Sequence, residues 1–199
     1  MPKSIAIRLI QPSDAAQVQA LDARVQPYRP KDQAAVEAMF ERATAIEGDN
    51  THWAPIPQPA PGDKETEDSG YLAFWVAQMV EDGQPDRLIG MVGIGRLSFH
   101  ILPRSGPFVE SLRNRNDLLE LQHLRVDPDF HGRGVGKQLC QTVIDWARDH
   151  GFKFLFVNTT TPQTPARSLY QKMGFREVAV TYVGKYELVW MELTLQEPQ

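Results

Sequence analysis

Gly132, Gly134 and Gly136 alternate with Arg133, Val135 and Lys137 in this 199-residue chain, after an Asp127-Pro128 turn and at the head of an amphipathic stretch. Glycine has no β-carbon, so such a run can bend tightly and bring several backbone N–H groups close to one anion. At a helix start the first four N–H groups lack an intrahelical acceptor, and the macrodipole adds about half a positive charge. A pyrophosphate meets both deficits. Arg133 and Lys137 can add side-chain charge. Spacing separates this cradle from two familiar ones. A nucleotide-hydrolase loop needs Gly, four residues, then Gly-Lys-Ser/Thr, but His131 stands where its first glycine belongs and Gln138 where its hydroxyl belongs. A dinucleotide fingerprint needs a third glycine, and the positions that would hold it are Lys137 or Leu139.

A second string follows at Thr164-Pro-Ala-Arg-Ser-Leu-Tyr-Gln-Lys-Met-Gly-Phe175. Thr164 suits a helix cap, Pro165 a first helical position and Gly174 a helix end. Ala166, Leu169, Tyr170 and Met173 fall on one face of that helix. Between the two strings, the apolar run from Phe152 to Val157 has the density of a strand buried on both faces.

His131-Gly-Arg-Gly-Val-Gly resembles the coenzyme A signature of the GNAT acetyltransferase superfamily, Gln/Arg-x-x-Gly-x-Gly/Ala, with His131 in the basic position. Ala166-x-x-Leu-Tyr-x-x-x-Gly-Phe175 resembles the second signature of that family, in the right order and after the right strand. The resemblance covers Leu118 to Gly174 most closely. It implies an α/β fold with a mixed, mostly antiparallel sheet that splays at its centre and is flanked by helices, in one domain over residues 1–199. It implies acetyl-CoA as co-substrate, without a metal, and an amine acceptor as the second partner, with a homodimer as a further expectation.

The resemblance also assigns roles. The coenzyme A surface comprises Leu124, Arg125 and Val126 on the strand, then His131, Gly132, Arg133, Gly134, Val135, Gly136 and Lys137 in the cradle. Gln163 stands where the family often has an Asn that contacts the cofactor, on a longer arm with the same donor and acceptor. The pantetheine arm would pair like an added strand with Leu124 and Val126, and the Leu124 N–H would donate to the oxyanion. Glu120, four residues before Leu124, takes the place of a general-base glutamate. His123 competes for that role, because imidazole titrates near pH 6.5, although alternation puts it on the opposite face from Glu120 and Leu124 unless a bulge changes the count. Tyr170 matches the family tyrosine that protonates the departing thiolate. The expected reaction is direct acetyl transfer to a primary amine of a small molecule or peptide. A coenzyme A-binding sensor without turnover and a protein N-terminal or lysine acetyltransferase are the alternatives.

The elements that must position these residues can be read from the same sequence. A strand at Ile5 to Ile10 leads into a helix at Ala15 to Arg24, and a second helix is expected over Asp32 to Ile46. Residues 48 to 70 hold Pro55, Pro57, Pro59 and Pro61 among many acids, which predicts an irregular loop. Tyr71 to Val80 and Leu88 to Phe99 read as a hairpin, and 100 to 116 as a second irregular insertion. Leu118 to Val126 is the strand before the cradle, Val135 to His150 the helix after it, and Phe175 to Tyr182 with Tyr186 to Leu193 a final strand pair.

Composition narrows the function classes. A hydrophobic share of 42% with 23% charged residues is ordinary for a globular domain. The net charge of -4 gives no drive toward nucleic acid. The single cysteine, Cys140, sits in a helical pattern and reads as a core residue. No apolar run approaches the ~20 residues of a membrane span and none resembles a signal peptide, so the expected location is cytoplasmic.

Overall fold

A computed structural model describes residues 4–25, 71–80, 86–97, 106–112, 115–183 and 186–196. Strand β1 (Ser4–Leu9) passes through a 3-10 turn into helix α1 (Ala15–Arg24). Strands β2 (Tyr71–Val80) and β3 (Arg87–Gly95) precede helix α2 (Gly106–Leu112) and strand β4 (Leu118–Val126). Helix α3 (Val135–Asp149), strand β5 (Phe154–Thr160) and helix α4 (Thr164–Lys172) follow, and β6 (Arg176–Val183) with β7 (Tyr186–Thr194) complete the sheet. The helix expected over Asp32 to Ile46 and the proline-rich segment 48 to 70 lie outside the described residues.

The seven strands run in the order β1-β2-β3-β4-β5-β7-β6. All neighbours are antiparallel except β4 and β5. That parallel pair is short: Leu118, Leu119 and Glu120 face Phe154, Leu155 and Phe156, and the remainder of β4 extends without a β5 partner. Here the sheet splays, as expected from the resemblance.

Helices cover both faces. Leu139, Cys140, Val143, Ile144 and Ala147 form the buried stripe of α3 and pack with Leu119, Leu121, Leu155 and Val157. On the opposite face Val18 and Leu21 of α1 meet Phe74, Val76 and Met91, while Val109 and Leu112 of α2 meet Leu118, Phe156 and Trp190. Burying each of the Val, Leu, Ile, Phe and Met side chains among these contributes about 1.5–3 kcal/mol. Cys140 is a core residue of α3, and burial pushes its thiol up to about 12.

Four expectations need correction. Residues 106–112 are helical where an irregular insertion was expected. Pro107 suits a first turn, and Phe108, Val109 and Leu112 have the spacing of one apolar face, which Trp190 and Phe156 cover. Strand β3 ends at Gly95, short of Phe99, and β5 begins at Phe154 and runs on to Thr160, because its pairing with β7 continues through Thr160↔Leu188. Gln163, not Thr164, is the N-cap of α4, and it makes no side-chain capping bond because its Oε1 instead accepts from the Thr159 hydroxyl.

Candidate active site

The cradle has the backbone its glycines require. Gly132 and Gly134 have φ of +74 and +80, in the left-handed region that side chains rarely adopt. A β-carbon added at Gly132 would meet nothing within 4 Å, so that position opens outward. The first bond of the α3 ladder runs from the Gln138 N–H to the Gly134 carbonyl, which leaves the N–H groups of Val135, Gly136 and Lys137 ahead of it. Gly136 serves packing: a β-carbon there would lie 3.3 Å from Leu169 Cδ2, so its absence lets α4 press against the start of α3. Arg133 lies with its guanidinium 5.1 Å from the Phe130 ring centroid, and Lys137 is exposed.

Asp127 anchors the turn that leads into the cradle. Its carboxylate is fully buried, accepts from Arg87 Nη2 at 2.6 Å and from Arg24, and caps the Asp129 N–H at 3.1 Å. Burial opposes this charge, but the Asp129 N–H and the two arginines outweigh it and hold the carboxyl below its usual range. One side chain thus ties α1, β3 and the cradle together.

The edge of β4 is open beside this turn. The Asp127 N–H donates to the Ile89 carbonyl across β3, at 2.8 Å. Strand groups alternate in direction, so the N–H and C=O groups of Leu124 and Val126 point the other way, to the side that β5 has left. Side chains occupy the two carbonyls. Arg125 Nη1 donates to the Leu124 carbonyl at 3.1 Å, and His131 Nε2 lies 2.9 Å from the Val126 carbonyl. A carbonyl can only accept, so that nitrogen carries the proton. The basic position of the first signature therefore braces the strand edge.

A bulge in β4 rearranges the faces beyond Glu120. Gly93 pairs with Gln122 and Met91 with Arg125, which leaves His123 and Leu124 opposite Val92 alone. His123 has φ +51. Leu119 and Leu121 face α3, and after the bulge so do Leu124 and Val126. His123 is thereby brought to the face of Glu120, which corrects the alternation expected from the sequence, while it stays on the opposite face from Leu124 as expected.

Glu120 is 6% exposed, and amides hold its carboxylate: Gln122 Nε2 donates to Oε2 at 3.0 Å and Asn158 Nδ2 donates to Oε1. Tyr71 crosses from β2 to place its hydroxyl on His123 Nδ1. Burial pushes the Tyr71 phenol well above its usual range, Arg125 opposes the shift, and the charges of Asp22 and Glu120 add to it. Asn158 and Tyr71 were not singled out from the sequence, because only the pairing of β5 with β4 and of β2 with β3 brings them to Glu120 and His123.

On the other face, Tyr170 is 5% exposed in the α3 core with its ring 5.6 Å from Phe175. Burial is the largest influence on its phenol and pushes it well above the usual range, with Cys140 reinforcing and Arg125 opposing. It stays protonated at neutral pH and so remains a donor. Among the described residues, no helix is long and apolar enough to cross a membrane.

The acetyltransferase (GNAT) family model matches residues 34–175. Human N-acetyltransferase 8 is 34% identical over 120 residues, 60% of this chain and 44% of that protein. N-acetylaspartate synthetase of Rattus norvegicus is 32% identical over 82 residues, 41% of this chain and 27% of that protein. The chain thus spans less than half the length of these curated relatives. The Escherichia coli ribosomal-protein-S18-alanine N-acetyltransferase has the same fold, with a TM-score of 0.58 at 16% identity, covering 98% of this chain and 97% of that one. So does the acetyltransferase yncA of Salmonella typhimurium, solved with acetyl-CoA, with a TM-score of 0.56 at 17% identity and coverage of 98% and 95%. With a family model over most of its length and the same fold, the chain belongs to the acetyltransferase (GNAT) family.

Proposed function

We propose that the chain transfers the acetyl group of acetyl-CoA directly to a primary amine of a small molecule or peptide in a ternary complex. The observation that carries this reading is the continuity of the open β4 edge at Leu124 and Val126 with the glycine cradle at Gly132 to Lys137. A pantetheine arm fits the first as an added strand and a pyrophosphate fits the second. The thioester then lies at the bulge, where the Leu124 N–H can donate to its oxygen as charge develops; such donors supply about 2.7–4 kcal/mol. Arg125 and Gln163 border the path of the arm. Tyr170, buried and protonated, donates to the departing thiolate.

The acceptor approaches from the face of Glu120. The amine attacks the carbonyl carbon, the C–N bond forms as the C–S bond breaks, and one proton must leave the nitrogen. Glu120 and His123 share that face and can both serve. A relative named N-acetylaspartate synthetase supports amino acids as one acceptor class to test. The experiment is a thiol-release screen across amino acids, polyamines, amino sugars and peptides, beside calorimetry with acetyl-CoA. Saturable release that depends on an amine supports the reading. Binding of acetyl-CoA without release under any amine would make the chain a coenzyme A sensor, and release only with protein N-termini or lysines would make it a protein acetyltransferase.

A further inference from the structure

The Tyr71 ring reaches His123 across a gap in the sheet. A β-carbon at Gly93, on the intervening strand β3, would lie 2.3 Å from Tyr71 Cδ1 and 2.4 Å from Cε1, so only glycine leaves room for the ring to pass over β3. On the far side the β4 bulge turns His123 back toward it, with φ +51 at the residue. The rings meet edge to face at a centroid distance of 5.5 Å, with the Tyr71 hydroxyl on Nδ1. Two local irregularities, a missing side chain on β3 and an extra residue in β4, thus build one contact. It lies one residue before Leu124, whose N–H faces the open edge. Among the described residues, Arg125 of β4, Asp22 of α1 and Glu120 of β4 are charged groups that act on the Tyr71 phenol.

We propose that His123 is the base that takes the proton of the acceptor amine, and that Tyr71 is the residue that positions it. This rests on the acetyl-transfer reading and decides between the two groups left open there. A phenol both donates and accepts, so Tyr71 accommodates the tautomer with the proton on Nδ1, which leaves the lone pair on Nε2. As the C–N bond forms, Nε2 takes the amine proton, directly or through a water molecule. The imidazolium keeps its Nδ1–H to the phenol oxygen and later releases the added proton to solvent. The thiolate receives its own proton from Tyr170, which regains one from solvent, so that the two exchanges with solvent cancel. Glu120, sealed between Asn158 and Gln122, acts as the fixed anion that draws the acceptor's ammonium form and favours the imidazolium.

The test uses His123→Gly, because glycine suits φ +51, and Tyr71→Phe, which removes one oxygen. Calorimetry with acetyl-CoA should give both variants the parent's affinity. His123→Gly should lose about 10²–10³-fold in kcat/KM together with the acid limb of the pH profile, which an imidazole places between about pH 5 and 8. Added imidazole should restore part of the rate. Tyr71→Phe should keep the limb but move it to lower pH, since the imidazolium loses an acceptor. A His123→Gly enzyme that keeps the limb, or is not rescued, would overturn the proposal, as would an unmoved limb in Tyr71→Phe. If the parent turns over, those outcomes leave acetyl transfer standing. If the parent releases no thiol with any amine, both readings fall together.

Discussion

At the scale of single residues, the candidate site separates holding charge from moving protons. Glu120 is nearly sealed and both its oxygens are engaged. Hydrogen bonds to a charged group are worth about 1.5–3 kcal/mol. Glu120→Gln should therefore lower kcat/KM by about 10- to 100-fold while the acid limb persists at lower pH, as a pH-rate series on the purified variant would show. Loss of the limb in that variant would return the base to Glu120. Tyr170→Phe keeps the ring that packs on Phe175 and removes the hydroxyl. Turnover should fall by about 10- to 1000-fold with the melting temperature close to the parent's. Single-turnover rates with a second donor carrying a more acidic thiol should show a smaller loss, and equal losses for the two donors would make Tyr170 a packing residue.

At the scale of elements, what was legible in the sequence was local. The strand, the cradle and the helix after it follow from an apolar run, glycines and a 3.6-residue stripe, and all lie where the spacing puts them. The arrangement around Glu120 was not legible. It depends on which strand lies beside which, and on one extra residue in β4 that reverses the parity of everything after it. Alternation alone sends His123 to the wrong face. The brief helix α2 escaped notice because its glycine and proline read as loop signals, while the apolar pair Val109 and Leu112 gains meaning only once Trp190 lies over it. Two variants probe these contacts. Gly134→Asp places a carboxylate where the pyrophosphate is expected and should weaken acetyl-CoA at least tenfold by calorimetry, with the fold kept; unchanged affinity would remove the cradle from the site. Gly136→Val would overfill the 3.3 Å approach of Leu169 and should cost about 1–3 kcal/mol in denaturant unfolding.

At the scale of the whole molecule, ion pairs fasten the turns at both ends of β4 and the turn before α1. Arg8 pairs with Asp14 at 2.7 Å, Arg115 with Asp117 at 2.9 Å, and Arg24 and Arg87 with Asp127. Asp14 and Asp117 owe their lowered titration first to their arginines, and Asp127 owes its to partners that outweigh burial. A carboxyl depressed in the folded state contributes stability that is present above the unfolded value, near 3.9, and is lost as pH falls through the folded one. The melting temperature should thus hold through neutral pH and fall below about pH 4. Asp127→Asn should cost about 1–3 kcal/mol at pH 7 and flatten that acid decline, as thermal melts at pH 3 and pH 7 would register.

The parting of β4 from β5 makes the sheet incomplete by one ribbon. The N–H groups of Leu124 and Val126 belong to a strand in the middle of the order, yet among the described residues no strand pairs with them on the β5 side. In the proposed reading the donor substrate supplies that neighbour, so folding and binding become one thermodynamic cycle. Ligand at 100 times its dissociation constant would add about 2.7 kcal/mol to stability. The amides of Leu124 and Val126 would pass from rapid to slow hydrogen–deuterium exchange while those of β3 barely change. Acetyl-CoA would then act as a removable structural member as well as a reagent, and each turnover would open and close a seam in the middle of the sheet.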